Sequence, residues 1–302
     1  MTGASMGESI FAIDFSCDAM VASFVLPDGT EEGTAGFDLA DFQAGDIKPM
    51  DKLTALLTAK ARQDNAGGVI LSVPADIDKA RRTILNFPGA SWLSRQPLPE
   101  ILENALGIPV MMERRSVILL AYDMIMLGLP REALVAGCYI DMHYQNALWY
   151  RGAPLLGASG TAGNIAHVTI QGREDDCFCG KQGCVDLYGA GVRLKQIHTM
   201  IFPDTPLELL FESHGDHPII RDYLSTMAYP IAIECNIVDP EYIVLGGLVP
   251  SMAGFPQKAL EEEILSQRYN PSAESSPVFL PSAIGSTGYL TAAAEYARSH
   301  GA

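Results

Sequence analysis

Residues 160–186 have the sequence GTAGNIAHVTIQGREDDCFCGKQGCVD, which concentrates one histidine and three cysteines in a short segment. One imidazole and three thiolates form a complete tetrahedral ligand set for Zn²⁺, and a site with no open position is structural rather than catalytic. Gly180 and Gly183 allow the tight backbone that would turn the thiolates toward one point. Unpaired thiols on a loop are the alternative interpretation. The four candidate ligands are His167, Cys177, Cys179 and Cys184.

The size and charge of the chain limit its function. With 302 residues it is long enough for two domains. Its 36 acidic and 20 basic residues give a formal charge of −16, which would repel nucleic-acid phosphates and anionic lipids. The first residues lack the features of a signal peptide, and no apolar stretch is long enough to cross a bilayer. We therefore expect a cytoplasmic protein with no nucleic-acid or membrane partner.

Hydrophobic periodicity predicts an α/β protein whose two halves each begin with a β-hairpin. The turn Pro27-Asp28-Gly29 follows the first pair of predicted strands. Strands are predicted at residues 10–15, 20–26, 67–73, 109–112, 134–140, 146–150 and 241–247. Helices are predicted at residues 51–64, 98–106, 116–127, 192–202, 219–237 and 286–298.

The cysteine segment resembles the signature of the ROK family of sugar kinases and NagC-like regulators, G-x-x-G-E-x-G-H followed by C-x-C-G-x-x-G-C-x-E. The resemblance extends to Asn86-Phe87-Pro88 and to the stretch from Asp239 to Gly247. It is strongest toward kinases of the allose or glucose type. It implies an actin-like (ribonuclease H-like) fold of two α/β domains around a cleft, with a zinc-binding loop, a hexose and ATP in the cleft, and a homodimer. The implied domains are residues 1–115 plus 286–302 and residues 116–285.

The position of the family's catalytic base is altered. In family kinases the strand matching residues 109–112 leads into Asn-Asp, and that Asp accepts the proton of the sugar hydroxyl. Here the two residues are Arg114 and Arg115. Arginine stays protonated and has no acceptor, so it cannot be a general base, and losing one typically costs about 10²- to 10⁴-fold in rate. The nearest carboxylates are Glu113, two places early, and Asp123, two helical turns later.

The two turns that hold nucleotide phosphates in family kinases are altered as well. The first, usually D-x-G-G-T, is replaced by residues 14–18, DFSCD, and the second, usually G-T-G-x-G, by residues 141–145, DMHYQ. Neither contains a glycine, so backbone N–H groups have less access to phosphate oxygens. The resemblance leaves Asp14, Gly246 and Gly247 as nucleotide-binding candidates, and these changes disfavour ATP with Mg²⁺.

Sugar-binding positions are partly retained. Asn86 and His167 match the family, Asp186 replaces a glutamate, and Asn164 replaces the glutamate of G-E-x-G-H. An asparagine still donates and accepts hydrogen bonds to hydroxyls. The resemblance therefore implies a pocket for a sugar or sugar phosphate, with Arg114 and Arg115 as further candidates.

Two interpretations of the paired arginines remain open. Arg114 and Arg115 could bind an anionic ligand, such as a sugar phosphate or a sugar acid, through bidentate contacts. Alternatively, Arg115 pairs with Asp14 across the cleft and fills a site that no longer catalyses.

Three functions follow as hypotheses. The first is a ROK pseudokinase that binds a sugar or sugar phosphate and carries structural zinc. The second is an active ATP-dependent hexose kinase with a displaced base, taken from Asp14, Asp141 or Glu113. The third is a non-catalytic assembly protein. A ROK transcription factor is disfavoured because the first predicted strand begins near the start of the sequence.

Overall fold

The computed structural model describes residues 9–63, 65–269, 276–284 and 288–301. In chain order, the strands are β1 (Ile10–Phe15), β2 (Ala19–Val25), β3 (Glu31–Asp38), β4 (Gly68–Val73), β5 (Asp76–Ile77), β6 (Ile84–Asn86), β7 (Val110–Arg114), β8 (Val135–Ile140), β9 (Tyr144–Tyr150), β10 (Ala153–Pro154), β11 (Tyr242–Gly246) and β12 (Val278–Pro281). The helices are α1 (Pro49–Gln63), α2 (Leu98–Leu106), α3 (Arg115–Met126), α4 (Asp186–Gly189), α5 (Gly191–Ile201), α6 (Leu210–His214), α7 (Pro218–Val238), α8 (Gln257–Gln267) and α9 (Tyr289–His300).

The chain divides into two compact units. Unit 1 comprises Met1–Tyr122, Leu156–Ala162 and Thr287–Ala302, and unit 2 comprises Asp123–Leu155 and Gly163–Ser286. The boundary after Tyr122 lies seven residues beyond the one that the resemblance implies, and it falls inside α3. The start of α3 belongs to unit 1 because Arg115 contacts Asp14 and Tyr289 there. The segment Leu156–Ala162, expected in the second domain, also packs with unit 1.

Unit 1 is built on a five-stranded sheet with the order β3-β2-β1-β4-β7. β1 pairs antiparallel with β2 and parallel with β4, and β4 pairs parallel with β7. β1 and β4 are buried at every position, as expected for central parallel strands. Because these strands run in the same direction, their carboxyl ends lie at one edge of the sheet. That edge carries Asp14, Ser72 and Arg114.

Unit 2 contains a second five-stranded sheet with the order β10-β9-β8-β11-β12. Its directions repeat those of the first sheet: β10, β9 and β8 are antiparallel neighbours, while β8, β11 and β12 are parallel. Its core is completed mainly by side chains of α5, α7 and α8. The two halves of the described chain thus share a hairpin-first sheet, as the periodicity suggested.

The predicted elements agree with the structure except at several points. The turn Pro27-Asp28-Gly29 joins β2 to β3, a strand that the periodicity does not predict. β12 and α8 are also missed, as are the short elements β5, β6, β10, α4 and α6. β7 extends two residues past its predicted end, so Arg114 closes the strand and Arg115 begins α3. Residue 64 of the first predicted helix and residues 286–287 of the last lie outside the described residues. Among the described residues, no helix combines the length and the apolar character needed to cross a bilayer.

Candidate functional site

The cysteine segment of unit 2 folds into a cluster that can hold a metal ion. One ligand atom from each of His167, Cys177, Cys179 and Cys184 lies within 4.8 Å of all the others. The Cys177 Sγ is 3.5 Å from His167 Nδ1, and the Cys179 Sγ is 3.6 Å from Cys184 Sγ. Zn–S bonds of about 2.3 Å and Zn–N bonds of about 2.0–2.1 Å in a tetrahedron place ligand atoms at such separations. The residues therefore fit a closed four-ligand zinc site.

Two glycines shape the loop that carries these cysteines. Gly180 and Gly183 have φ angles of +87° and +71°, which L side chains rarely adopt. A Cβ at Gly183 would also lie 2.3 Å from the Arg173 carbonyl oxygen. Backbone hydrogen bonds from Cys177 N to Lys181 O and from Gly183 N to Asp175 O close the turn, at 2.8 and 3.0 Å. The glycines have the role expected of them from the sequence.

Burial favours the protonated form of two thiols of this cluster, those of Cys177 and Cys184. It raises the pKa of Cys177 to about 12 and also raises the pKa of Cys184. Thiolate, not thiol, is the metal ligand, so metal binding here would release protons.

At the sheet edge of unit 1, Arg115 is bound to Asp14. Arg115 Nε is 3.2 Å from Asp14 Oδ1, and both side chains are buried. Ser72 Oγ donates to the same oxygen at 2.6 Å, and the guanidinium lies over the Tyr289 ring at 4.2 Å from its centre. Both charged residues belong to unit 1, so the pair forms inside one unit rather than across a cleft. Of the two interpretations of Arg115, the structure shows the ion pair.

The carboxylates flanking Arg115 in the sequence are occupied. Glu113 is 1% exposed, pairs with Arg81 and accepts a hydrogen bond from Tyr296 Oη at 3.0 Å. In unit 2, Asp123 is fully buried and accepts hydrogen bonds from Tyr139 Oη at 2.7 Å, Ser282 Oγ and Ala283 N. Burial raises the pKa of Asp123.

The turn between β8 and β9 is held by its own carboxylate. Asp141 Oδ1 accepts a hydrogen bond from Leu248 N at 2.7 Å, and Oδ2 accepts one from Gln145 Nε2 at 3.2 Å. Gly246 and Gly247 precede that amide. A Cβ at Gly247 would lie 2.6 Å from Ile140 N, and one at Gly246 would lie 2.5 Å from the Ser282 side chain. Close packing within unit 2 therefore requires both glycines whether or not a nucleotide binds.

The candidate sugar-binding residues are distributed over the two units. Asn86 lies in unit 1 at the end of β6, opposite Asp76 of β5. In unit 2, Asn164 is exposed, and His167 is half-buried in the metal cluster. Asp186 is fully buried and accepts a hydrogen bond from Tyr144 N at 2.7 Å, while its other oxygen is 2.7 Å from His143 Nδ1.

Sequence reasoning missed several of these partners. The triad of Arg81, Glu113 and Tyr296 joins residues far apart in the chain, and no local pattern identifies it. The contact of His143 with Asp186 joins residues 43 positions apart, so no local pattern identifies this pairing.

Comparison with known proteins places these features in a family context. The model of the ROK family matches residues 49–298. Among curated proteins, the chain is 24% identical over 276 residues to a xylose repressor of Caldicellulosiruptor bescii, covering 76% of this chain and 64% of the repressor. It is 25% identical over 210 residues to an N-acetylmannosamine kinase of Vibrio cholerae, covering 68% of this chain and 70% of the kinase. It spans between 53% and 64% of the length of the first three repressors it matches.

The fold has close counterparts among solved structures. A ROK family glucokinase from Streptomyces griseus, in complex with glucose and AMPPNP, superimposes with a TM-score of 0.73 at 18% identity. The match covers 96% of this chain and 99% of the glucokinase. The actin-like α/β fold expected from the sequence is therefore confirmed. Because some relatives are named repressors, the expectation of no nucleic-acid partner is not supported by the comparisons.

Proposed function

The chain belongs to the ROK family, and we propose that it binds a monosaccharide without transferring a phosphoryl group to it. The observation that carries this proposal is the buried pair of Arg115 and Asp14. The resemblance puts the catalytic carboxylate of family kinases where Arg115 stands. A guanidinium accepts no proton, and here it also binds the carboxylate that the alternative kinase would use as its base.

The other carboxylates considered as displaced bases have partners of their own. Glu113 is held by Arg81 and Tyr296, and Asp141 accepts hydrogen bonds from Leu248 N and Gln145. A general base must lie within hydrogen-bond reach of the proton that it removes from the substrate. Recruiting either group would first require breaking these contacts, of which those of Glu113 are the more deeply buried.

The nucleotide side supports the same proposal. Leu248 N, directly after the double glycine, already donates its hydrogen bond to Asp141. Asp18 adds another carboxylate to the first altered turn. Phosphate cradles in proteins use bare backbone N–H groups and avoid nearby negative charge. We propose that ATP with Mg²⁺ does not bind productively.

A ligand panel tests this function. Thermal unfolding of the purified chain would be followed with neutral hexoses, pentoses, sugar acids, sugar phosphates and ATP with Mg²⁺. We expect at least one monosaccharide to raise the melting temperature by mass action, and ATP with Mg²⁺ to leave it unchanged. A chain stabilised by no monosaccharide would favour the assembly role, and sugar-dependent ADP production would favour the active kinase.

We also propose that the metal of the cysteine cluster is structural Zn²⁺, held by His167, Cys177, Cys179 and Cys184. The purified chain should contain about one zinc per chain, and Cys177→Ser should lose it and unfold at a lower temperature. Cys17→Ser is the matched control, because Cys17 lies in unit 1 outside the cluster. Equal zinc content in both variants would refute the assignment.

A regulatory role is the second candidate, favoured by the similarity to xylose repressors. In that role the sugar would change binding to a partner rather than undergo chemistry. DNA binding distinguishes a regulatory role from sugar binding alone. It would be measured by fluorescence anisotropy with DNA fragments that flank the chain's own gene, with and without the stabilising sugar. Sequence-specific binding that the sugar alters would support regulation.

Light scattering in solution would test the expected homodimer.

A further inference from the structure

Arg114 is a buried cation with little compensation from the protein. It closes β7, opposite Val73 of β4, and is 6% exposed. Its Nη1 and Nη2 are 3.5 and 3.4 Å from the carbonyl oxygen of Ala162, at the outer limit of a hydrogen bond. Among the described residues, its Nε has no hydrogen-bond partner and no carboxylate lies within 4.0 Å of it. A guanidinium offers five donors, so most of its capacity is unused.

The neighbouring charges do not supply the missing partner. Glu113 is engaged by Arg81, and Asp14 is engaged by Arg115. Glu113 and Asp76 both act on Arg114 through their charges, but neither forms an ion pair within 4.0 Å of its guanidinium. A buried ion without a partner is strongly unfavourable, and arginine cannot escape the cost by losing its proton. A ligand that brings its own negative charge would remove that penalty.

We propose that Arg114 binds the carboxylate of an acidic monosaccharide, a uronic or aldonic acid. This inference rests on the proposed sugar-binding function and names its ligand class. The planar fork of a guanidinium matches a carboxylate in bidentate geometry.

The surrounding charges favour a carboxylate over a phosphate. Three arginines, Arg81, Arg114 and Arg115, face three carboxylates, of which Glu113 and Asp14 are directly paired and Asp76 acts on Arg114 through its charge, so the group is neutral before a ligand binds. A ligand carboxylate would give Arg114 a direct partner and add only one negative charge. A phosphate ester, which carries nearly two negative charges near neutral pH, would leave an excess beside Asp76.

Asn86 provides a hydroxyl-binding group in the same unit. It lies opposite Asp76 across the ribbon of β5 and β6, and paired residues in antiparallel strands have Cα atoms about 4.5–5.5 Å apart. Among the described residues, the Asn86 side chain makes no hydrogen bond, and it is only half-buried. An amide that both donates and accepts suits a sugar hydroxyl. One unit thus supplies both a charged and a neutral contact.

The experiment compares charged and uncharged forms of one sugar by calorimetry. Glucuronate, galacturonate and gluconate would be titrated against glucuronamide, glucose and glucose 6-phosphate. We expect at least one acid to bind, and its uncharged counterpart to bind at least tenfold more weakly. Arg114→Gln should weaken binding of that acid by roughly ten- to hundredfold and so reduce the preference for the acid over its uncharged counterpart. Arg62→Gln is the matched control, because Arg62 is exposed in unit 1 and also binds a backbone carbonyl.

The outcomes separate this inference from the proposed function. If neutral sugars bind as well as the acids, the Arg114 assignment fails while the sugar-binding function stands. If glucose 6-phosphate binds more tightly than every acid, the carboxylate class is wrong. If Arg114→Gln does not fold, the comparison of glucuronate with glucuronamide on the unaltered protein still tests whether the site prefers a carboxylate. Turnover of ATP would instead contradict the proposed function, whatever the sugar preference.

Discussion

At the scale of single residues, Glu234 of α7 is a buried carboxyl group outside the proposed sites. It is 3% exposed, and Asn146 Nδ2 donates a hydrogen bond to its Oε2 at 2.9 Å. Burial raises its pKa from 4.5 to about 8. The nearby thiols Cys138 and Cys235 stay neutral in this range, because burial raises the pKa of each. Glu234 is therefore protonated in the folded protein at neutral pH.

The raised pKa of Glu234 makes the free energy of unfolding depend on pH in a defined direction. Between pH 4.5 and about 8 the folded chain holds a proton that the unfolded chain releases. The free energy of unfolding should therefore fall as pH rises through that window, by roughly 1.4 kcal/mol for each unit of pKa difference. We expect Glu234→Gln to flatten this dependence in denaturant unfolding measured between pH 5 and 9. Glu262→Gln, an exposed change on α8, should keep the slope of the unaltered protein. Parallel slopes for all three proteins would contradict the buried neutral carboxyl.

At the scale of elements, the metal loop depends on its glycines to different degrees. Gly172 and Gly183 both have positive φ, but only at Gly183 would a Cβ meet the backbone, at the Arg173 carbonyl. Adding a side chain at positive φ costs about 1–2 kcal/mol by itself. Gly183→Ala should add a steric clash to that cost and distort the ligand set.

The two alanine variants therefore form a matched pair. We expect Gly183→Ala to weaken zinc binding, measured by competition with a chromophoric chelator, and Gly172→Ala to leave it near that of the unaltered chain. Equal affinities in the two variants would show that the loop does not preorganise the ligands.

The same elements show what the sequence could predict. The limits of α2 agree with its predicted range, because a regular apolar period ends at Gly107 in the left-handed conformation. β3 was missed because Glu31–Asp38 is an edge strand with mostly exposed side chains, positioned by its pairing with β2. The metal cluster was predictable since its ligands lie close in the chain. The contacts of Arg81 with Glu113, and of Asp123 with Ser282, depend on tertiary packing that no local pattern encodes.

At the scale of the whole molecule, the two five-stranded sheets have the same order of antiparallel and parallel pairings. They carry different residues at corresponding edges. The sheet edge of unit 1 ends in Asp14 and the two arginines, and the β8–β9 turn of unit 2 is held by Asp141. The chain is similar both to a protein named a repressor and to a protein named a kinase, so the shared fold does not by itself determine the function. The residues at the strand ends, rather than the fold, determine whether phosphoryl transfer is possible.

The most direct test of that claim is a single-turnover reaction. Stoichiometric protein, ATP labelled in its γ-phosphate, Mg²⁺ and the most tightly bound monosaccharide would be mixed and quenched over seconds to hours, beside a ROK family glucokinase as the positive control. We expect no labelled sugar phosphate above the level without protein. Transfer that appears with this chain and is lost in Asp14→Asn would contradict it, because Asp14 would then be a working base rather than the partner of Arg115.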